Sequence, residues 1–278
     1  MPSPIADPES GLSPDERAAA AGSLRAAYRS RRPVPPLSLT YPGLTAEDAY
    51  AVQLLQADAW QKEDGRVVKG HKVGLTSAAM QRQLGVDQPD YGHLTDDMFF
   101  LEGQPVPADR FISPKAEPEI AFVLDKPLAG PGVTVADAVG AVAYVLPALE
   151  IIDSRIADWK ITLADTIADN ASSGGVVLGS RPTPLNAVDL RLTGCVLHRG
   201  GQLVASGAGG ACLGSPLNAL VWLANTVGAL GVTLQAGAVV LPGSVTAAVP
   251  VGPGDTVTAT FAGLGPVTAR FAREEAAA

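Results

Sequence analysis

Hydrophobic and polar positions follow two textures along this chain. Up to about residue 66 the apolar residues recur at helical spacing. Ser13-Pro14-Asp15-Glu16 carries a helix-start signal: serine can cap, proline sits where a missing N–H is harmless, and glutamate can close a capping box. The alanine-rich run behind it predicts a helix to about Arg29. Arg31 to Tyr41 contains Pro33, Pro35 and Pro36 and predicts a connector. Thr45-Ala46-Glu47-Asp48 opens a second helix, with Val52, Leu55 and Ala59 on one face and Gly65 as its stop. The first 12 residues are rich in Pro, Ser and acid and predict a frayed terminus.

From Val67 the pattern shortens into runs broken by Gly, Pro and Asp. Val67 to Thr76, Glu117 to Leu124 and Tyr144 to Ile152 predict strands, and Ser77 to Leu84 predicts a short helix stopped by Gly85. Leu190 to Ala205 and Thr256 to Phe271 predict β-hairpins, turning at Arg199-Gly200-Gly201 and at Gly263-Leu264-Gly265. Between them Ser215-Pro216 opens a helix from Leu217 to Leu230, with Leu220, Leu223 and Ala224 as apolar positions. Strands and helices do not alternate regularly, which argues against Rossmann and TIM architectures, and no repeat suggests a solenoid. The expectation is an α+β protein, with a helical region over residues 1–66 and a β-rich catalytic body over 67–278.

Composition narrows the function classes. The 278 residues are 47% hydrophobic and 17% charged, against about 25% charged in an average domain, so global disorder is excluded. A net charge of −8 argues against a nucleic-acid partner; the one basic run, Arg29, Arg31 and Arg32 with Arg25 nearby, reads as solvated surface. Cys195 and Cys212 form no CxxC, and three histidines show no HExxH spacing, so a zinc site is not expected. No apolar stretch reaches roughly 18 residues, and Met1 is followed by proline and acid rather than a basic segment. A protein without a membrane segment, located in the cytoplasm, is expected.

The candidate chemistry is carboxylate chemistry. Glu117-Pro118-Glu119 runs straight into the apolar Ile120 to Leu124. In a strand both carboxylates point to the same face, roughly 6.6 Å apart, and repel unless something cationic lies between them. The plain alternative is a solvated strand end with Pro118 marking an edge. Glu150 lies in the otherwise apolar Tyr144 to Ile152 run, so it needs an ion pair, with Arg155 or a distant lysine, or a metal. Three carboxylates from two strands suit a hard divalent cation, Mg²⁺ or Mn²⁺. Lys72 alternates with Val73 and can point into a cavity or to solvent. Asp90 reads as a turn residue, His71 and His93 as structural or exposed, and Asn170 to Gly175 as a polar loop able to bind an anion or simply to end a helix.

Several longer motifs then resemble one family. His71-Lys72-Val73-Gly74-Leu75-Thr76, Gln83 to Gly92, Pro147 to Arg155, Ala168 to Ser173 and Leu213 to Ala219, in this order, resemble the 2-keto-4-pentenoate hydratase family of the fumarylacetoacetate-hydrolase-like superfamily, from roughly Thr45 onward. The resemblance implies a body of rolled, mixed sheets and a divalent metal at Glu117, Glu119 and Glu150. It also implies Lys72 and Asp90 as catalytic residues beside the substrate, with Thr76 and Ser172 hydrogen-bonding its carboxylate end. Pro118 departs from the alanine that many relatives carry there.

The implied activity is that of a hydro-lyase in aromatic or steroid meta-cleavage catabolism, adding water to 2-hydroxypenta-2,4-dienoate or a close homologue to give a 4-hydroxy-2-oxoacid. The alternatives are a 2-oxo-3-hexenedioate (4-oxalocrotonate) decarboxylase and a non-catalytic scaffolding subunit. A homo-oligomer is expected, with association with other meta-cleavage enzymes as a further implication.

Overall fold

The computed structural model describes residues 11–273. The expected frayed terminus falls mostly on residues 1–10, outside the described residues; Leu12, at its end, is buried.

The helical part begins with α1 (Pro14–Ser30), α2 (Leu37–Thr40) and α3 (Ala46–Lys62). The Ser13–Glu16 and Thr45–Asp48 capping boxes both form, each satisfying amides that a helix start otherwise leaves bare. Ala20, Leu24, Leu37, Ala49 and Val52 pack with Ile156, Ile167 and Ala168. These helices therefore rest on α6 (Leu163–Ala168), whose own box joins Thr162 and Asp165. The remaining helices are α4 (Ala78–Leu84), α5 (Val135–Ala141) and α7 (Pro216–Ala229). α5 was not legible because its seven residues lie inside a Gly- and Val-rich stretch. No helix among the described residues is long and apolar enough to cross a membrane.

The strands are β1 (Val68–Gly74), β2 (Asp90–Thr95), β3 (Phe99–Leu101), β4 (Pro105–Val106), β5 (Lys115–Leu124), β6 (Val142–Ile152), β7 (Ser173–Leu178), β8 (Gly194–Arg199), β9 (Gln202–Ala208), β10 (Val239–Leu241), β11 (Val249–Pro250), β12 (Thr256–Phe261) and β13 (Gly265–Phe271). The first sheet runs β2-β1-β10-β5-β6-β7-β3, with β11 beside β5, and the second runs β4-β13-β12-β8-β9. The first is mixed, since β1–β10 and β3–β7 are parallel and the other pairs antiparallel. Both expected hairpins are present, β8–β9 and β12–β13. The two sheets close on one main core that includes Ile120, Phe122, Leu149, Leu197, Leu220, Leu223, Phe261 and Val267.

Pro118 does not mark an edge. β5 is a central strand, and Pro118 stands opposite Leu149 of β6. On its other side β5 is paired first by β11 and then by β10, and Pro118 falls in the gap between them. Its carbonyl accepts from Val245 N–H at 3.0 Å on that side. A strand residue's N–H and C=O point the same way, so the missing N–H is lost where no strand partner would receive it.

Candidate active site

The antiparallel register of β5 on β6 sets Glu150 directly opposite Glu117, with Glu119 two residues along the same face. One oxygen from each of Glu117, Glu119 and Glu150 lies within 4.8 Å of the others. Glu119 and Glu150 are 0% exposed and Glu117 is partly buried. β10 ends at Leu241, and the chain beyond it turns over this corner, Gly243 N–H donating to Glu119 Oε2 at 2.7 Å. Glu119 Oε1 and both Glu150 oxygens are buried without a hydrogen bond. Burial and mutual repulsion push Glu117 up to about 7 and Glu119 well above the usual carboxylate range, and burial raises Glu150. Dry, like-charged acceptors with free lone pairs fit a hard divalent cation in both donor type and charge.

Lys72 reaches this corner from β1. Its Nζ lies 3.4 Å from Glu150 Oε1 and donates to the Ala171 carbonyl at 2.9 Å. Burial works against the ammonium, yet the charges of Glu150, Asp90, Glu117 and Glu119 outweigh it and raise its pKa, so Lys72 stays protonated. Glu150 therefore takes a distant lysine as its partner. Arg155 is engaged elsewhere, its Nε 2.6 Å from Asp169 Oδ1.

Asp90 is the first residue of β2, opposite Gly74, not a turn residue. It is 1% exposed, and Thr166 Oγ1 donates to its Oδ2 at 3.2 Å, while Oδ1 has no hydrogen bond. Burial raises its pKa, only partly offset by Lys72 and Thr166. The approach of β1 requires glycine at position 74, since a Cβ there would run into Asp90 Oδ1. Ser172 Oγ lies 3.3 Å from Thr166 Oγ1, and Thr76 is buried against Gly243. Asn170, Ala171 and Ser172 hold left-handed backbone and are all buried. The polar loop expected there is a packed turn, fixed by Asn170 Nδ2 to the His93 carbonyl and by Arg155 to the Ser173 carbonyl, both at 2.9 Å.

Lys72, Thr76, Asp90, Glu117 and Ser172 line one cavity of about 320 Å³. Glu119 and Glu150, with no exposure, lie outside this lining but within 4.8 Å of Glu117. Among the lining residues that escaped sequence reasoning are Lys115, Trp159, Ser244, Thr166, which bonds Asp90, and Gly243, which bonds Glu119. Lys115 was findable, because it continues the i, i+2 face of Glu117 and Glu119. Trp159, Gly243 and Ser244 depend on irregular segments that periodicity does not place, and Thr166 on how α6 docks. A larger hollow of about 730 Å³ lies on the opposite face of β1, against α3, and includes His71 and His93. Among the described residues it has no carboxylate cluster. His71 is buried, as a structural histidine would be, and His93 partly so.

Residues 67–272 match the fumarylacetoacetate (FAA) hydrolase C-terminal family. The chain is 47% identical over 260 residues to a 2-keto-4-pentenoate hydratase of Paraburkholderia xenovorans (strain LB400), covering 94% of this chain and 96% of the relative. It is 43% identical over 254 residues to the 2-oxo-hept-4-ene-1,7-dioate hydratase of Escherichia coli, covering 88% and 94% of the two chains. Among solved structures, 4-oxalocrotonate decarboxylase from Pseudomonas putida G7, complexed with magnesium and adipate, superposes with a TM-score of 0.90 at 39% identity, over 94% of this chain and 98% of that one.

Proposed function

The chain belongs to the 2-keto-4-pentenoate hydratase family, and from that premise we propose that it hydrates 2-hydroxypenta-2,4-dienoate, or a close homologue, to a 4-hydroxy-2-oxoacid. The observation that carries this reading is the clustering of Glu117, Glu119 and Glu150 beside one small cavity that Glu117, Lys72 and Asp90 line. A Mg²⁺ or Mn²⁺ ion held by the three glutamates would supply Lewis-acid stabilisation of negative charge at the carboxylate and 2-oxygen end of the substrate.

This chain's own residues do the rest. Thr76 and Ser172 offer hydroxyls to the substrate carboxylate. The Lys72 ammonium, charged and dry, places positive charge beside the developing anion and delivers a proton to C5 while the 2-hydroxyl releases its own proton to solvent, giving a 2-oxo-3-enoate and a neutral lysine that solvent reprotonates. Water then adds across C3=C4, its oxygen to C4 and a proton to C3. Asp90 presents the free Oδ1 to that water, and the raised pKa makes it a better base than an exposed aspartate.

The second reading, decarboxylation of 2-oxo-3-hexenedioate, is favoured by the likeness to the solved decarboxylase. Incubating the magnesium-loaded protein separately with the dienoate and with the hexenedioate separates the two by product mass. Hydration adds one water to the first; decarboxylation removes one CO₂ from the second. No product from either, in folded protein that binds the metal, overturns the enzyme reading in favour of a scaffolding subunit.

The same reading extends to a homo-oligomer in the cytoplasm. It is supported by exposed Leu54 and Val232 in the lining of the hollow at α3, by further exposed Leu55, Val67 and Leu230, and by two buried free cysteines. Light scattering tests the assembly, and a monomer contradicts it.

A further inference from the structure

Resting on that reading, we infer that Lys115 and Trp159 recognise the far end of the substrate and favour 2-hydroxydienoates that carry a second carboxylate there. Lys115, Glu117 and Glu119 follow one another on a single face of β5, at roughly 6.6 Å per step. Burial falls from Glu119, 0% exposed, to Glu117 and Lys115, both partly buried, so this row runs outward from the buried glutamate cluster into the cavity lining. A 2-oxoacid end seated at the glutamates therefore directs its other end towards Lys115.

Two cations line the cavity among the described residues, Lys72 and Lys115. Lys72 is already engaged with Glu150 and the Ala171 carbonyl. Among the described residues Lys115 pairs with no carboxylate within ion-pair distance; its Nζ sits 3.9 Å from the centre of the Trp159 ring. A ring face holds an ammonium in place while leaving N–H groups free to donate.

That ring is itself held. Trp159 Nε1 donates to the Ser113 carbonyl at 3.0 Å and lies 3.2 Å from Ser113 Oγ. Asp158 and Trp159 both take left-handed backbone, at φ 59° and 55°, which a non-glycine residue adopts only where its surroundings demand it. Ile152, Ile161 and Ala248 add apolar surface to the same cavity lining, suited to the carbon chain of a longer diacid.

The test uses adipate and hexanoate, unreactive acids that differ in one terminal carboxylate, bound to magnesium-loaded protein and read by titration calorimetry. The wild-type chain is expected to prefer adipate. Lys115→Met is expected to cut the adipate-to-hexanoate affinity ratio at least about tenfold, and Lys115→Arg to restore most of it. Equal binding of the two acids by wild type, or an unchanged ratio in Lys115→Met, overturns the inference. Because the readout is binding, it stands apart from the hydratase reading: a chain that prefers adipate but turns over no dienoate loses the reaction and keeps the recognition site.

Discussion

Glu119 states the problem of this site most sharply: a carboxylate with no exposure, two like charges within reach, and one backbone amide for a partner. Such a group is tolerable protonated or beside a metal and costly otherwise. Glu119→Gln keeps the oxygen that accepts from Gly243 N–H and removes the repulsion. The metal-free variant is expected to melt no lower than metal-free wild type in a thermal scan, while its Mn²⁺ affinity falls at least about tenfold, the lower end of losses seen even for outer-shell partners. A variant that unfolds yet binds Mn²⁺ normally makes Glu119 structural.

The raised carboxyls also set the pH response. Glu117 titrates near 7 and must lose its proton to ligate, so metal binding releases protons and weakens as pH falls through 7. One such group alone makes Mg²⁺ affinity about tenfold weaker at pH 6 than at pH 8. Calorimetry in buffers of different ionisation enthalpy reads both the affinity and the proton release, and pH-independent binding contradicts the ligand assignment. At this scale much of the site was legible. Glu150 stood out because a lone acid interrupts an apolar run, and Glu117 with Glu119 because strand alternation puts them on one face. Asp90 was misplaced in a turn, because Pro89 and Gly92 signal a turn locally while its burial depends on β1, many residues away.

At the scale of elements, the site is held by close strand approach and by the buried Arg155–Asp169 ion pair behind it. Gly74→Ala pushes a Cβ into Asp90 Oδ1 without disturbing the core behind it. The variant is expected to fold, with turnover down roughly 10²-fold, the scale of a misplaced catalytic group; turnover close to wild type would show that Asp90 need not sit there. Arg155 bonds Asp169 through its side chain and backbone, reaches the Ser173 carbonyl, and stacks 4.1 Å from the Tyr28 ring centre. It thereby joins α1, the end of β6 and the turn that carries Ser172. Removing it leaves Asp169 buried alone, so Arg155→Met is expected to lose about 3–5 kcal/mol in urea unfolding. A loss below about 1 kcal/mol contradicts the role. The hairpins and the α1, α3 and α7 helices were readable from glycine turns and caps. The order of strands in the first sheet was not, because β10 enters between β1 and β5 from more than a hundred residues downstream, and no local pattern records that pairing.

At the scale of the molecule, β1, β5 and β6 deliver the cation and the acids, and β2 with the turn before β7 closes the cavity over them. The proposed hydration calls on both halves: the buried glutamate cluster, and Lys72 with Asp90 beside it. The most direct measurement is proton NMR of the product formed from 2-hydroxypenta-2,4-dienoate in D₂O, by EDTA-treated protein before and after Mg²⁺ is restored. With Mg²⁺, the expected product is 4-hydroxy-2-oxopentanoate carrying one deuteron at C5 and one at C3, and without it turnover is expected to cease. Formation of the same product at the same rate by the metal-free protein would contradict the central claim.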